Sequence, residues 1–563
     1  MKAFKKAFAV VVAAALVCVA FAACGDNEEE TPSPAEPVKY TVTYDTNGGT
    51  LASDASASVT VKEGESVTLP AVTQEKYTFN GWYLGTQSVG VAGATYTPTA
   101  SVTLKAEWEE VVTEDYALVN GERAVEYAKI IKNLYWDSAT HLSKLTPQGG
   151  SPCLWPYTEQ VSMVNGILLN MEETDDDYGF FTGYLEELLD GLRYYRVKEV
   201  TGNVTWQNAS HTLADFGQTD GTANSYAIYN SGRDSSKKDN VTQGMSGIFF
   251  DDNIWVAKEF YYAYLNLGEE QYLNEAINIV NWIVGEGYEE TKGLNGIYWN
   301  WAARYRFDYK NGSSLDDSVH ASLNACSSAP TAMMLAKLYQ TLKAGEFSSG
   351  IASLADDYFA KAGKIYEFCY LTLRNTVNGC LRDKIFLKEG FESLTGDARI
   401  ELVDEQILPY NTGTLMTAGA ELYKIYSAQG KTAVASVYEK RNQAIVKDAD
   451  KVFANTQVLQ GQYSYHENSW FTSFILEGFI DIEETGIDCG EYVEHMRSAL
   501  DYAWKNHRSE DDKLVCPAWI EGWSRFSDNG ANSEGNPRQI LLQSANAHCY
   551  AMLVRYYGAQ NAQ

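Results

Sequence analysis

The sequence predicts a mainly α-helical fold, a helical toroid that follows a small β-rich segment. Three observations lead to this prediction. Between residues 115 and 563, about eleven segments repeat apolar residues at helical spacing, and polar, glycine-rich connections separate them. Strand patterns are nearly absent there, whereas residues 39–110 alternate apolar and polar residues over short stretches. No fixed-period repeat is present, and an α-solenoid, the competing arrangement of paired helices, is built from such repeats.

The first residues have the pattern of a secretory signal peptide. A lysine-rich start and an apolar stretch are followed by small residues and the acidic run GDNEEE. The ending FAAC resembles the bacterial lipobox, in which the cysteine is lipidated and becomes the mature N-terminus. The resemblance implies a signal peptide at 1–23, a lipidated Cys24 and an acidic disordered tether at 24–38. We therefore expect an extracytoplasmic protein, lipid-anchored to a bacterial membrane or cell surface.

Residues 39–110 contain four short strand patterns. The first, YTVTYDTNGGT, ends in Asn-Gly, which is a hairpin signal, and SVTLP, YTFNGWYLG and SVTLKAEWEE follow. This segment resembles the Listeria–Bacteroides repeat of bacterial surface proteins. The matching residues are Tyr44, Asn47, Gly48, Gly49, Phe79, Gly81, Trp82, Ala106, Glu107 and Trp108. The resemblance implies a small β-grasp-like module that acts as a spacer or in adhesion and takes no part in catalysis.

Composition excludes some classes of partner and favours another. The net charge of -30 argues against nucleic acid, because an acidic surface repels phosphate groups. Aromatic residues make up 13% of the chain, which exceeds the usual need of a core and is typical of sugar-binding clefts. The cysteines and the seven histidines show no metal-ligand spacing. We expect free thiols, no metal site and no cofactor.

Asp251 and Asp252 stand where the apolar run GIFF changes into the helical pattern NIWVAKEFYYAYL. Aspartate is common at a helix start, because the free amide groups and the helix dipole favour a carboxylate there. The apolar flanks, however, withdraw both carboxyls from water, and two close carboxyls in such a place do not ionise together easily. One ionised and one protonated carboxyl is what glycoside cleavage requires. A helix cap and a catalytic pair are both consistent with these residues.

The run FFDDNIWVAKEFYYAYLNLGEEQYLNEAINIVNWIV resembles the signature region of glycoside hydrolase family 76, the endo-α-1,6-mannanases. The similarity extends over residues 120–560, through LYWDSATHL, LWPYTEQVSMVNGIL, NGIYWNW, LNACSSAPTAMMLAKLY, LPYNTGTLMTAGAELYK and LLQSANAH. It implies an (α/α)6 toroid at 115–563. It also implies hydrolysis of α-1,6-mannosidic bonds in a mannan, with Asp251 as the nucleophile and Asp252 as the general acid/base. Adjacent carboxyls about 5 to 5.5 Å apart favour retention of configuration.

The same resemblance implies a set of substrate-binding residues. They are Trp255, Trp299, Asn324, Tyr410, Asn411, Gln543 and Ser544. For Trp255, packing in the core is an equal alternative to substrate contact. Structural hydrogen bonding is an equal alternative for the residues near helix ends, which are Asn324, Tyr410, Asn411, Gln543 and Ser544. The chain departs from the family pattern at Tyr298, Leu323, Thr412, Thr472 and Ser473. These departures leave open the mannan and the branches accepted, and two alternatives stand: transglycosylation, and a glycan-binding adhesin without activity.

Overall fold

The computed structural model describes residues 37–75, 77–110, 114–201, 204–206, 209–211, 228–244, 247–302, 320–459, 462–465, 469–526 and 536–561. The chain divides into two compact units, Met1–Glu114 and Asp115–Gln563. The expected signal peptide, Cys24 and nearly all of the expected tether lie outside the described residues. Across the described ranges, no helix is both long and apolar enough to cross a membrane.

The described part of the N-terminal unit contains nine short strands. They are β1 (Lys39–Asp45), β2 (Thr50–Leu51), β3 (Ser58–Lys62), β4 (Val67–Thr68), β5 (Val72–Thr73), β6 (Tyr77–Leu84), β7 (Gln87–Gly90), β8 (Thr95–Tyr96) and β9 (Val102–Glu110). The main sheet has the order β3-β1-β9-β6-β7, in which β1 and β9 are parallel and the other neighbours are antiparallel. β2 pairs with β5, and β4 pairs with β8.

An aromatic cluster forms the core of this unit. Trp82 is fully buried, its ring lies 5.1 Å from Tyr44 and 5.6 Å from Phe79, and its Nε1 donates to the Pro70 carbonyl. The expected Asn-Gly turn is present, with positive φ at Asn47 and Gly48, but the strands that it joins do not pair with each other. The hairpin interpretation of this signal is therefore wrong, because β1 is taken up by the main sheet.

The C-terminal unit is mainly helical. Its helices are α1 (Tyr116–Tyr135), α2 (Leu154–Leu168), α3 (Tyr178–Leu192), α4 (Phe250–Leu267), α5 (Glu270–Trp282), α6 (Ala325–Ala344), the single turn α7 (Ser349–Ala352), α8 (Ala355–Phe368), α9 (Pro409–Ala428), α10 (Thr432–Phe453), α11 (Ser469–Glu483), α12 (Gly490–Asn506) and α13 (Ile540–Asn561). Short π-helical turns extend α5 and α8 at Ile283–Gly287 and Cys369–Leu373.

The long helices form two concentric rings. The inner helices α2, α4, α6, α9, α11 and α13 contact one another in that order, and α13 returns to α2. The outer helices α1, α3, α5, α8, α10 and α12 pack against α13, α2, α4, α6, α9 and α11. Six pairs in a closed ring make an (α/α)6 toroid, and this confirms the predicted fold class.

Outer and inner helices differ in burial. Outer helix α10 buries residues at a spacing of three and four, such as Tyr438, Asn442 and Ile445, as an amphipathic helix does. Inner helix α2 buries 13 of its 15 residues, polar ones such as Glu159 and Gln160 included, and so exposes no polar face. Periodicity therefore predicts α10, whereas α2 is marked by the family resemblance of LWPYTEQVSMVNGIL.

Two glycines allow close packing inside the inner ring. A Cβ at Gly413 of α9 would lie 2.2 Å from the Phe474 carbonyl oxygen of α11. A Cβ at Gly478 of α11 would lie 3.0 Å from the Gly413 carbonyl oxygen. The two backbones are thus in direct contact, which any larger residue at position 413 would prevent.

Short strands connect the helices. They are β10 (Trp136–Asp137), β11 (Leu142–Ser143), β12 (Val197–Thr201), β13 (Val204–Trp206), β14 (Ala209–His211), β15 (Val241–Gly244), β16 (Tyr288–Glu289), β17 (Gly296–Ile297), β18 (Ser322–Asn324), β19 (Arg382–Leu387), β20 (Ile400–Ile407), β21 (Ala454–Leu459) and β22 (Gln462–Tyr465). The largest ladder has the order β18-β19-β20, and β18 leads directly into α6. These strands are more numerous than the sequence patterns indicate. Most of them pair only two to four residues within a connection, which is too short to produce an alternating pattern.

Candidate active site

The N-terminal turns of five inner helices meet around one cavity. The second residue of each lines it: Trp155 of α2, Asp251 of α4, Cys326 of α6, Tyr410 of α9 and Trp470 of α11. A helix N-terminus carries a partial positive charge and free amide groups. The ring architecture therefore places an aromatic wall and a carboxylate in a region where negative charge is stabilised.

Backbone pairing fixes the start of α4. The Phe250 amide donates to the Trp299 carbonyl at 2.8 Å, and the Trp301 amide donates to the Ile248 carbonyl at 3.1 Å. Asn253 is fully buried and its side chain bonds both the amide and the carbonyl of Tyr229, at 2.8 and 2.9 Å. Asn253 therefore holds the 228–230 segment against the start of α4 through these hydrogen bonds.

Asp251 accepts hydrogen bonds from two N–H groups. Trp299 Nε1 donates to Oδ2 at 2.8 Å, and the Asp252 amide donates to Oδ1 at 2.9 Å. Both donors favour the ionised carboxyl. Burial and the charge of Asp252 nevertheless dominate and raise the pKa of Asp251 to about 8.

Asp252 is the next residue of the same helical turn. Burial raises its pKa to about 6, and a hydrogen bond with Ser231 opposes the rise. Two carboxyls this close take up and release protons as one unit. Near neutral pH the pair holds one proton and one negative charge, which is the state that acid-assisted displacement at a sugar carbon requires.

The two aspartates open into a cavity of about 400 Å³. Its wall consists of Cys153, Trp155, Ser231, Phe249, Asp251, Asp252, Trp255, Trp299, Asn324, Cys326, Asp383, Lys384, Leu408, Tyr410, Trp470 and Phe471. Seven of these residues are aromatic, so the cavity offers flat apolar surfaces beside the carboxyls. Aromatic faces next to a few polar groups are typical of ligand sites.

The structure brings together four of the seven expected substrate-binding residues. Trp255, Trp299, Asn324 and Tyr410 line the cavity with the aspartates. Asn411 is fully buried behind the wall, where its Nδ2 donates to Asp383 at 3.1 Å.

The other two expected residues are buried in α13, outside the cavity wall. Gln543 donates to the Pro537 carbonyl at 2.6 Å and accepts from the Tyr127 hydroxyl. Ser544 is fully buried. These contacts make Gln543 a structural hydrogen-bonding residue in this chain.

Sequence reasoning missed two groups of wall residues. The first group, Trp155, Trp470 and Phe471, consists of aromatic residues in the first turn of α2 and α11. Asp383 and Lys384 come from β19, where Lys384 is paired with Asn324 of β18. The side chains of Asp383 and Lys384 form an ion pair at 2.8 Å. No local sequence signal marks this pair, because a strand pairing brings it to the cavity.

Within the described ranges, no group of three or more His, Cys, Asp or Glu side chains is arranged to hold a metal ion. The cysteines from Cys153 onward are free, and six of these seven are buried.

Known proteins match the two units in different ways. Residues 40–107 match the family model of the Listeria-Bacteroides repeat domain. No curated protein matches the chain in sequence. Among solved structures, the chain is similar to a family 76 glycoside hydrolase (mannosidase) of Bacteroides thetaiotaomicron, with 16% identity, a TM-score of 0.55, and coverage of 79% of this chain and 100% of that one.

Two further structures give the same result. A GH76 α-mannanase of Bacteroides thetaiotaomicron has 14% identity and a TM-score of 0.53, over 80% of this chain and 98% of that one. The GH76A α-1,6-mannanase of a Salegentibacter species has 15% identity and a TM-score of 0.50, over 78% and 99%. The helical unit has the fold of glycoside hydrolase family 76. At these identities the similarity establishes the fold.

The Trp299 indole donates a hydrogen bond to the Asp251 carboxyl at 2.8 Å. We expect Trp299→Phe to raise the pKa of Asp251, because the ionised carboxyl loses a donor. A hydrogen bond to a charged group is worth about 1.5 to 3 kcal/mol, so activity should fall about 10- to 100-fold. The pH profile of kcat/KM measures both effects. An unshifted profile with full activity would contradict a role for this donor.

Proposed function

We propose that the protein is a surface-anchored glycoside hydrolase that cleaves α-1,6-mannosidic linkages of a mannan-type polysaccharide with retention. One observation carries the proposal. Two adjacent carboxyls with raised pKa values lie in the wall of an aromatic cavity, at the point where the inner helices of the toroid begin. A pair of partly buried carboxyls with raised pKa values costs stability and is typical of catalytic sites.

The choice of substrate rests on similarity. The three solved structures of the same fold are described as a mannosidase, an α-mannanase and an α-1,6-mannanase. The aromatic wall fits this class, because the apolar faces of sugar rings stack on aromatic side chains while carboxyls bind hydroxyl groups. No metal or organic cofactor is required for this reaction.

In the proposed reaction, one carboxylate attacks the anomeric carbon while the other carboxyl protonates the departing glycosidic oxygen. The glycosyl ester is then hydrolysed by a water molecule that the second residue deprotonates, and the two displacements together retain the configuration. We assign Asp251 as the nucleophile and Asp252 as the general acid/base. The two N–H donors at Asp251 support this assignment, because they stabilise a carboxylate that faces the developing positive charge of the sugar.

The two raised pKa values do not by themselves assign the roles, because the pair takes up and releases its protons as one unit. Binding of a glycosidic oxygen next to Asp252 would favour a proton there, since the protonated carboxyl can donate to that oxygen. The assignment of roles therefore needs its own experiment.

The remaining parts of the proposal concern location. We propose that residues 1–23 are removed as a signal peptide, that Cys24 carries a lipid, and that residues 24–38 tether the protein to the membrane. The unit at 39–110 would then act as a spacer or adhesion module outside the cell, and residues 115–563 would form the catalytic domain. Support comes from the lipobox-like FAAC ending and from the Listeria-Bacteroides repeat match.

A substrate panel tests the function. We expect the purified protein to release oligosaccharides from linear α-1,6-mannan and none from dextran or xylan, with yeast mannan reporting tolerance of branches. Chromatography of the products and NMR of the first-formed anomer measure linkage and retention. Absence of products from every mannan would reject the hydrolase. Binding without cleavage would indicate the adhesin, and transfer of mannose units to an added acceptor would indicate a transglycosylase.

A further inference from the structure

We propose that Glu159 and His548 form a buried positioning pair that fixes the orientation of Trp470 in the cavity wall. The proposal rests on the proposed function, because it assigns Trp470 to contact with the bound glycan. Glu159 lies one helical turn after Trp155 on α2, His548 lies on α13, and Trp470 lies on α11. Three inner helices thus contribute one residue each.

Trp470 is the central residue of the aromatic wall. Its ring lies 4.8 Å from Trp155, 5.3 Å from Tyr410 and 5.1 Å from Phe471, all of which line the same cavity. Any rotation of this indole changes its contacts with all three neighbours. The shape of the aromatic wall therefore depends on the orientation of one side chain.

Hydrogen bonds among Trp470, Glu159 and His548 fix the orientation of the indole. Trp470 Nε1 donates to Glu159 Oε2 at 3.1 Å, and Glu159 Oε1 lies 3.1 Å from His548 Nδ1. Glu159 is 3% exposed and His548 is 8% exposed, so both groups are almost removed from water. The imidazole also packs against Gly166, where a Cβ would lie 2.8 Å from its Cδ2. Both carboxylate oxygens are thereby held, and the indole ring has one favoured rotation.

The free-energy cost of burying this polar pair indicates a role beyond stabilising the fold. A buried carboxylate loses hydration, and replacing a buried polar pair with packed apolar residues is often neutral or stabilising. In this chain the second residue of the pair, His548, touches Glu159 and does not line the cavity. Trp470 is the wall residue to which the pair is hydrogen-bonded, which makes both of them positioning residues.

A double-mutant cycle tests the proposal. We expect Glu159→Leu to raise KM for α-1,6-mannan about tenfold, because Trp470 loses one hydrogen bond to a charged group. The value of kcat should change much less. Glu159→Gln keeps an acceptor for the indole and should restore most of the wild-type KM. Trp470→Phe should raise KM by a similar factor. In the Trp470→Phe background, Glu159→Leu should add nothing, because the group that it positions is gone.

The matched control is Asn546→Leu. Asn546 lies on α13 and its Oδ1 accepts from Trp519 Nε1 at 2.8 Å, so this change also removes the acceptor of a buried indole. Trp519 does not line the cavity. We expect a lower Tm and an unchanged KM. A rise in KM equal to that of Glu159→Leu would show a general effect of destabilisation and would overturn the proposal.

A readout that does not need catalysis separates this proposal from the proposed function. With 5-fluorotryptophan in the protein, the ¹⁹F resonance that disappears in Trp470→Phe is that of Trp470. We expect this resonance to shift or broaden in Glu159→Leu and to stay in place in Asn546→Leu. If the wild type cleaves no mannan, the hydrolase proposal fails while this test still decides the positioning role. An unchanged resonance in Glu159→Leu, or additive KM effects in the double variant, would overturn it.

Discussion

Asp251→Asn and Asp252→Asn should each lower mannan hydrolysis by about a thousandfold or more. Asparagine has nearly the shape of aspartate but can neither attack as an anion nor carry the transferred proton. Initial rates on linear α-1,6-mannan, with the Tm of each variant as a check on folding, measure the effect. Variants that cleave as well as the wild type would contradict the assignment of the catalytic pair.

Helix α8 provides a matched control for this experiment. Asp356 and Asp357 are also adjacent aspartates in the first turn of a helix, but their side chains are 83% and 55% exposed and pair with Lys343 and Lys361. We expect Asp356→Asn and Asp357→Asn to keep activity within about twofold, as surface ion pairs contribute little. The contrast distinguishes a general effect of helix-start carboxylates from a specific effect of the pair in the cavity.

Rescue by azide separates the two roles. With an activated aryl mannoside, azide can replace the missing carboxylate in glycine variants. If Asp251 is the nucleophile, Asp251→Gly should yield a mannosyl azide of inverted configuration. Asp252→Gly should yield one of retained configuration, because the glycosyl ester still forms first. The opposite pattern would exchange the roles.

Removing both carboxyls should stabilise the protein at alkaline pH. Burial raises both pKa values above the value of about 3.9 for an aspartate in an unfolded chain. The folded state therefore binds protons more strongly than the unfolded state, and the two carboxyls destabilise the fold increasingly as pH rises from about 4 to about 8. Below pH 4 both states are protonated and this cost disappears.

We therefore expect Asp251→Asn/Asp252→Asn to have a Tm about 3 to 5 °C above that of the wild type at pH 8, and equal to it at pH 3.5. Thermal unfolding at both pH values measures the difference. The double variant Asp356→Asn/Asp357→Asn should gain nothing at pH 8, since those carboxylates are exposed and paired. If the Tm of Asp251→Asn/Asp252→Asn rose equally at both pH values, the stabilisation would come from better packing and not from removal of the carboxylate charges.

The sequence determined the parts of this protein that depend on local pattern. Amphipathic helices such as α10 and the short strands around Trp82 follow from the spacing of apolar residues, because each packs only one face against the rest of the protein. The position of Asp251 and Asp252 at a helix start follows in the same way, from the change of pattern at Phe250. The number of helical segments also predicted a toroid, and the resemblance to a known family implied its six helix pairs.

Only the tertiary structure decided which residues share the cavity. The helix starts that carry Trp155, Tyr410 and Trp470 are far apart in the sequence, and ring closure between α13 and α2 brings them together. Lys384 reaches the cavity because β19 pairs with β18, and Gln543 is kept away from it by its bonds to Pro537 and Tyr127. Spacing along a chain fixes which face of a helix is apolar, but contacts between distant segments require the free energy of packing the whole ring. For that reason the aspartate pair could be found in the sequence, and the family resemblance supplied four wall residues, whereas Trp155, Trp470, Phe471, Asp383 and Lys384 could not be found.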